Sequence, residues 1–168
     1  MKIFVTVGTQ KFPFDRLLRM ADDLGRELSD EDSVFAQSGY SKYSCTSIRQ
    51  EAFLDKEVYD EMIGTCDILI THGGVSSIIK GLKNGKKVIV VPRLKAYKEH
   101  VDNHQCEIAR SFAEQKYVLL YEEKGASLAE LIRQAEKYHF RDYFSRKNRI
   151  NTVIGKYLKQ IDTEVERR

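Results

Sequence analysis

The run His72-Gly73-Gly74-Val75-Ser76-Ser77 is where residue type and spacing point most directly to chemistry. Two glycines after an apolar run let a backbone approach a ligand closely, and two hydroxyls fall where a following helix begins. The first N–H groups of a helix have no partner within it, and with the helix dipole they favour an anion, phosphate above all. His72 adds a ring donor whose charge is expected to respond near neutral pH. A second reading stands beside this one: the glycines make a tight turn and Ser76 or Ser77 only caps the helix. Residues 92–105 form another polar stretch. Arg93, Lys95 and Lys98 supply positive charge there, and Glu99, His104 and Gln105 are among the groups able to pair with vicinal hydroxyls. By itself that stretch also reads as a solvated loop in which Asp102 or Asn103 caps the next helix. Gly8-Thr9-Gln10 is a third turn that follows an apolar run.

Other signatures are missing or misplaced. The chain has no G-x-x-x-x-G-K-[ST] run and no G-x-G-x-x-G after its first apolar segment, which speaks against a P-loop NTPase and weakens a dinucleotide reading. No G-x-S-x-G elbow is present, and no His/Cys cluster has metal-ligand spacing, so no metal and no cofactor are expected. Asp30-Glu31-Asp32 has the spacing of a metal-binding pair, but it precedes a strand instead of following one and reads as a solvated turn.

These residues need elements to position them. Residues 2–7 form a short β-rich apolar run, a buried strand. Pro13 suits a helix start, and Phe14, Leu17, Leu18, Ala21, Leu24 and Leu28 follow at helical spacing. Further strands are expected over residues 33–36, 67–71, 87–91 and 117–120, with residues 37–46 as a loop. Helices are expected over 55–66, from Ser76 or Ser77 to Asn84 with Gly85 closing it, and over 101–114, 127–138 and 144–164. Strands alternating with helices predict an α/β fold: a Rossmann-like parallel sheet with helices on both faces. Ligands in such a sheet bind beyond the carboxyl ends of the strands, where all three turns fall. Ile150, Val153, Ile154, Tyr157, Leu158, Ile161 and Val165 make an apolar stripe that packs on its own domain or docks on a partner.

Composition bounds the function classes. The 168 residues suggest one domain, 1–168, and 28 basic against 25 acidic side chains leave only +3, too little for charge alone to argue nucleic-acid binding. Cys45, Cys66 and Cys106 lack C-x-x-C spacing, which favours reduced thiols. No apolar run approaches the roughly 18 residues of a membrane span, and no signal-peptide pattern opens the chain, so a membrane role is expected to come through a partner.

Three ordered motifs resemble the C-terminal half of glycosyltransferase family 28: residues 71–77, the segment Gly85 to Arg93, and Glu99-His100-Val101-Asp102-Asn103-His104-Gln105. The likeness is strongest to split members, in which a small subunit carries the sugar-nucleotide site, and residues 3–9 with 14–17 fit the same group. The resemblance implies the donor half of a GT-B fold. It implies that His72, Gly73, Gly74, Ser76 and Ser77 hold the diphosphate of a UDP-sugar donor, that Gln105 meets the sugar, and that Gly8 and Thr9 border the cleft. Arg93, Glu99 and His104 join them as expected binding residues, with His72 steadying the leaving group. It further implies an inverting transfer to a lipid-linked saccharide acceptor. A membrane-anchored partner subunit would present that acceptor, and the chain would be cytoplasmic at the inner membrane face. Many relatives carry a glutamate for the ribose hydroxyls where this chain has Lys80, and the bacterial polysaccharide subset often lacks that acid. The general base is unassigned. A non-catalytic nucleotide-binding regulatory module is the alternative.

Overall fold

The computed structural model describes residues 1–29 and 31–143. Six strands, β1 (Lys2–Thr6), β2 (Ser33–Gln37), β3 (Arg49–Glu51), β4 (Ile68–Thr71), β5 (Lys87–Val90) and β6 (Leu119–Leu120), form one sheet in the order β3-β2-β1-β4-β5-β6. Every neighbouring pair is parallel. Five helices connect them: α1 (Asp15–Glu27), α2 (Lys56–Thr65), α3 (Val75–Lys83), α4 (His104–Glu114) and α5 (Leu128–Lys137).

Alternation along the strands decides which helix packs where, because successive side chains leave opposite faces of a sheet. Ile3, Val5, Ile70, Ile89 and Val91 meet α1 and α5 through Leu17, Leu18, Leu131 and Ile132. Phe4, Leu69, Val88 and Val90 meet Ile63 of α2, Ile78 and Leu82 of α3, and Phe112 of α4. Both faces are therefore covered, as the alternating pattern predicts. Strand order reverses between β1 and β4, and the crevice at their carboxyl ends is the position where doubly wound sheets take ligands.

The departures from expectation are local. The loop expected over residues 37–46 holds from residue 38, with Gln37 closing β2; beyond it lies an unexpected edge strand, β3, pairing Phe35 with Arg49 and Gln37 with Glu51. The helix placed from residue 101 begins at His104, and the strand placed over 117–120 is only Leu119–Leu120. Gly85, at φ +66°, closes α3 in a Schellman motif: its N–H donates to Leu82 O, and Lys86 N–H donates to Gly81 O. In the stretch read as a solvated acidic turn, Asp32 accepts from the Met1 amine at 2.7 Å, while Asp30 lies outside the described residues. The helix and apolar stripe expected beyond residue 144 also lie outside them. The three cysteines are free thiols, and no helix among the described residues is long and apolar enough to cross a membrane.

Candidate functional site

The crevice between β1 and β4 is lined by backbone. Gly8 follows β1 at φ +76°, a conformation that L side chains rarely adopt. A Cβ there would overlap Cε1 of His72, and a Cβ on Gly74 would overlap Nε2 of the same ring. The imidazole thus lies between two glycines, one on each turn. Gly73 is pressed against the start of α4, where a Cβ would sit 2.7 Å from the carbonyl oxygen of Gln105. Gly39, at φ +54°, leaves 2.8 Å between a would-be Cβ and the Gly8 carbonyl. Four glycines therefore shape one cradle, and the sequence reading missed the fourth because Gly39 lies in a segment read only as a loop.

Helix α3 opens into this cradle. It starts at Val75, one or two residues earlier than the expected Ser76 or Ser77, with Gly74 as N-cap and no side-chain cap. Ser76 and Ser77 are helical residues, so the reading in which one of them caps the helix is corrected. The N–H groups of Val75, Ser76 and Ser77 have no acceptor among the described residues. Three donors at the positive end of a nine-residue helix, beside two serine hydroxyls, are able to receive an anion, with the charge preference built into the backbone.

His72 is buried, and burial together with the nearby Arg93 cation pushes its pKa down to about 4. The expectation of a charge responding near neutral pH is therefore corrected. The ring is a neutral donor–acceptor at physiological pH, with Thr71 Oγ1 3.4 Å from Nδ1. The unfolded chain takes up the proton near pH 6.5 and the folded chain only near 4, so stability is full above that window and falls as pH drops through it. The loss should be about 3 kcal/mol between about pH 7 and pH 4. Urea unfolding at the two pH values should show that loss in the wild type and little of it in His72→Gln, which never titrates.

The 92–105 stretch divides by burial. Arg93, expected to offer charge to a ligand, is fully buried. Its Nη1 donates to the carbonyls of Phe12, Pro13 and Glu99 at 2.8, 3.3 and 3.1 Å, and its Nη2 donates to that of Val7 at 2.7 Å. Glu99, expected to hold hydroxyls, is also buried, and both its oxygens are occupied. Arg16 grips it bidentately at 3.0 and 2.9 Å, and Leu94 N–H adds a third bond at 2.9 Å. These two residues tie loops together instead of facing a ligand. Arg16, which fell within the family-like segment 14–17 but was given no role, was missed as the partner of Glu99 and of the Pro92 carbonyl.

His104 opens α4, with its ring 3.3 Å from Glu107 Oε2 and 3.8 Å from Asp102 Oδ2. Asp102 Oδ1 accepts its N–H at 3.0 Å, which gives Asp102 a local bond at the helix start, although Asn103 is the N-cap. Gln105 packs under Gly73, and its Oε1 accepts from Arg93 N–H at 3.4 Å. Thr9, Lys95 and Lys98 are exposed on the surrounding loops. Lys80 is held by Asp60 of α2 and lies 4.7 Å above the ring of Tyr59, whose hydroxyl reaches Ser77 at 3.4 Å. Among the described residues no group of three or more His, Cys, Asp or Glu is placed to hold a metal ion.

Comparison with known proteins agrees with this fold. The chain resembles the UDP-N-acetylglucosamine transferase subunit ALG13 of Homo sapiens, at 29% identity covering 64% of this chain and 10% of that protein. It resembles the subunit of the same name from Candida albicans at 31% identity, covering 56% of this chain and 30% of that one. The chain thus spans a third or less of the length of both relatives. Among solved structures, an NMR structure of ALG13 superposes with a TM-score of 0.58 at 18% identity, over 91% of this chain and 94% of that one. MurG of Acinetobacter baumannii superposes with a TM-score of 0.57 at 16% identity, over 81% of this chain and 42% of that one. These likenesses establish the fold as that of GT-B C-terminal domains. The model of the glycosyltransferase family 28 C-terminal domain matches residues 2–157, nearly the whole chain, and the chain belongs to that family.

Proposed function

We propose that this chain is the donor-binding, catalytic subunit of a split glycosyltransferase that uses a UDP-sugar. The observation that carries the reading is the uncapped start of α3 at the switch point, with His72 seated between Gly8 and Gly74. In this reading the diphosphate rests on the N–H groups of Val75, Ser76 and Ser77. Departure of UDP leaves a growing negative charge on the diphosphate, and fixed backbone dipoles stabilise it without reorganising. Neutral His72 contributes a hydrogen bond, not a charge. Gln105, buried against Gly73, is the residue whose amide meets the sugar in this reading.

The finer features rest on family membership and on the names of the relatives, which are called subunits. The transfer is inverting, and a general base on the chain or its partner deprotonates the acceptor hydroxyl. The partner is membrane-anchored and presents a lipid-linked saccharide, which places the complex at the cytoplasmic face of the membrane. Lys80 carries three donors and no acceptor, so ribose hydroxyls need another partner here. That difference supports capsule or exopolysaccharide assembly over transfer of N-acetylglucosamine to a dolichol-linked acceptor.

Calorimetry with UDP tests the site. Wild-type protein should bind, and His72→Ala should bind about tenfold more weakly through loss of one hydrogen bond to a charged group. Gly74→Trp should not bind at all. Absence of binding at millimolar UDP, with the partner subunit present, would overturn the reading.

A further inference from the structure

Among the described residues, Arg93 is the bulkiest side chain with no exposed surface. Its cation faces neutral carbonyls, because Glu99, the nearest carboxylate on its own loop, is bound to Arg16 and to Leu94 N–H. Its Nε has no hydrogen-bond partner among the described residues. Burying a cation this way is costly, and an apolar side chain of similar volume would fill the space with less penalty. What the guanidinium does that an apolar group does not is bridge two loops. Val7, Phe12 and Pro13 belong to the turn after β1, and Glu99 to the loop after β5. The ring of Phe14 supports the planar cation at 4.7 Å. The same turn carries Gly8 against His72, and the same loop leads into Gln105 against Gly73.

Resting on the donor-site reading above, we infer that Arg93 is a positioning residue, whose buried guanidinium fastens the turn after β1 to the loop after β5 and so fixes His72 and Gln105 in the cradle. It touches no ligand in this scheme. A lysine keeps the charge but offers one ammonium where a planar fork reaches four carbonyls, so charge alone does not replace it. The groups facing His72 are Arg93 and His100 from the loop after β5, with the Thr6 carbonyl from β1, and of these Arg93 bears the permanent charge.

The test uses the full-length chain, with Arg93→Lys and Arg93→Met compared with wild type. Thermal unfolding establishes that each variant folds, NMR titration of the His72 ring protons reads the cradle without ligand, and calorimetry reads UDP affinity. Both variants should bind UDP about tenfold more weakly. The His72 titration should move upward in Arg93→Met, where the cation's field is lost, and should also move in Arg93→Lys, where the charge stays but its position changes. Loss of the cation shifts His72 through its field alone, so the discriminating variant is Arg93→Lys. A merely structural arginine would change the melting temperature and leave the His72 titration and UDP affinity of Arg93→Lys in place. Folded variants with an unmoved His72 titration and UDP affinity within about twofold of wild type would overturn the inference, as would full affinity in Arg93→Lys. If wild type itself binds no UDP, the donor-site reading fails and the ligand-free titration decides the role of Arg93. If neither variant folds, Phe14→Leu loosens the cation without removing it. About threefold weaker UDP binding or a shifted His72 titration then supports the inference, and no change in either overturns it.

Discussion

Gly73→Ala should destabilise the protein by about 3 kcal/mol and weaken UDP binding at least about tenfold. The added methyl would meet Cβ, the carbonyl oxygen and Cα of Gln105 at 2.6, 2.7 and 3.0 Å. Backbone at the first turn of a helix cannot yield by changing rotamer, so either α4 or the β4–α3 turn must move. Movement of α4 displaces Gln105, and movement of the turn displaces His72 and the N–H groups at the start of α3. Stability and binding should therefore fall together. Gly64→Ala is the matched control, since nothing lies within 4 Å of its would-be Cβ. There the methyl should be neutral or stabilise by up to about 1 kcal/mol through helix propensity alone. Thermal melts should place Gly73→Ala roughly 10 °C below wild type. A Gly73→Ala protein that melts and binds UDP like wild type would contradict the packing of Gly73 on Gln105.

The clearest parts of this molecule in the sequence were those set by apolar periodicity. Strands β1, β4 and β5 are continuous apolar runs because both faces of a parallel sheet are covered, and their alternation with amphipathic helices gave the layered fold. Strand β3 was invisible for the opposite reason. Arg49-Gln50-Glu51 is three polar residues on a sheet edge, held by pairing with β2 and by no buried side chain of its own. The glycine turns were legible because the backbone chemistry of a phosphate cradle leaves glycine in the sequence. Arg93 and Glu99 misled because a charged residue type looks the same whether it faces ligand or protein. The acceptors of Arg93 are carbonyls as far as 86 positions away, and a carbonyl has no signature in sequence. The start of α3 was misplaced because serine is a favoured cap, whereas here the close approach of Gly74 to His72 put glycine in that position.

Asp22→Asn should cost about 3 kcal/mol and free the segment that carries Gly39. The Asp22 carboxylate is fully buried on α1. Its Oδ1 accepts from the N–H groups of Thr46 and Ser47 at 2.9 and 2.7 Å. Its Oδ2 accepts from the Tyr43 hydroxyl at 2.9 Å, the Thr46 hydroxyl at 3.1 Å and Arg26 Nη2 at 2.8 Å. An asparagine has one acceptor, so its amide must face donors on one side whichever way it is turned. Burial alone would raise the Asp22 pKa, but the bonds from Ser47, Tyr43 and Thr46 outweigh it and hold the carboxyl below its ordinary range. A lowered carboxylate pKa gives stability that is present above about pH 4 and is lost as the pH falls further. That window lies below the His72 window, so the two are separable in one acid series: His72→Gln removes the upper loss, and Asp22→Asn reduces the lower one, to which Asp32, Asp60 and Glu130 also contribute. The residues held by Asp22 follow Gly39, whose close approach shapes the Gly8 side of the cradle. Asp22→Asn should accordingly be cut faster by protease between residues 38 and 48, and it should bind UDP more weakly although it lies on α1, outside the cradle. Wild-type resistance to cleavage in that segment, or an unchanged acid profile, would show that the network is not what holds the loop.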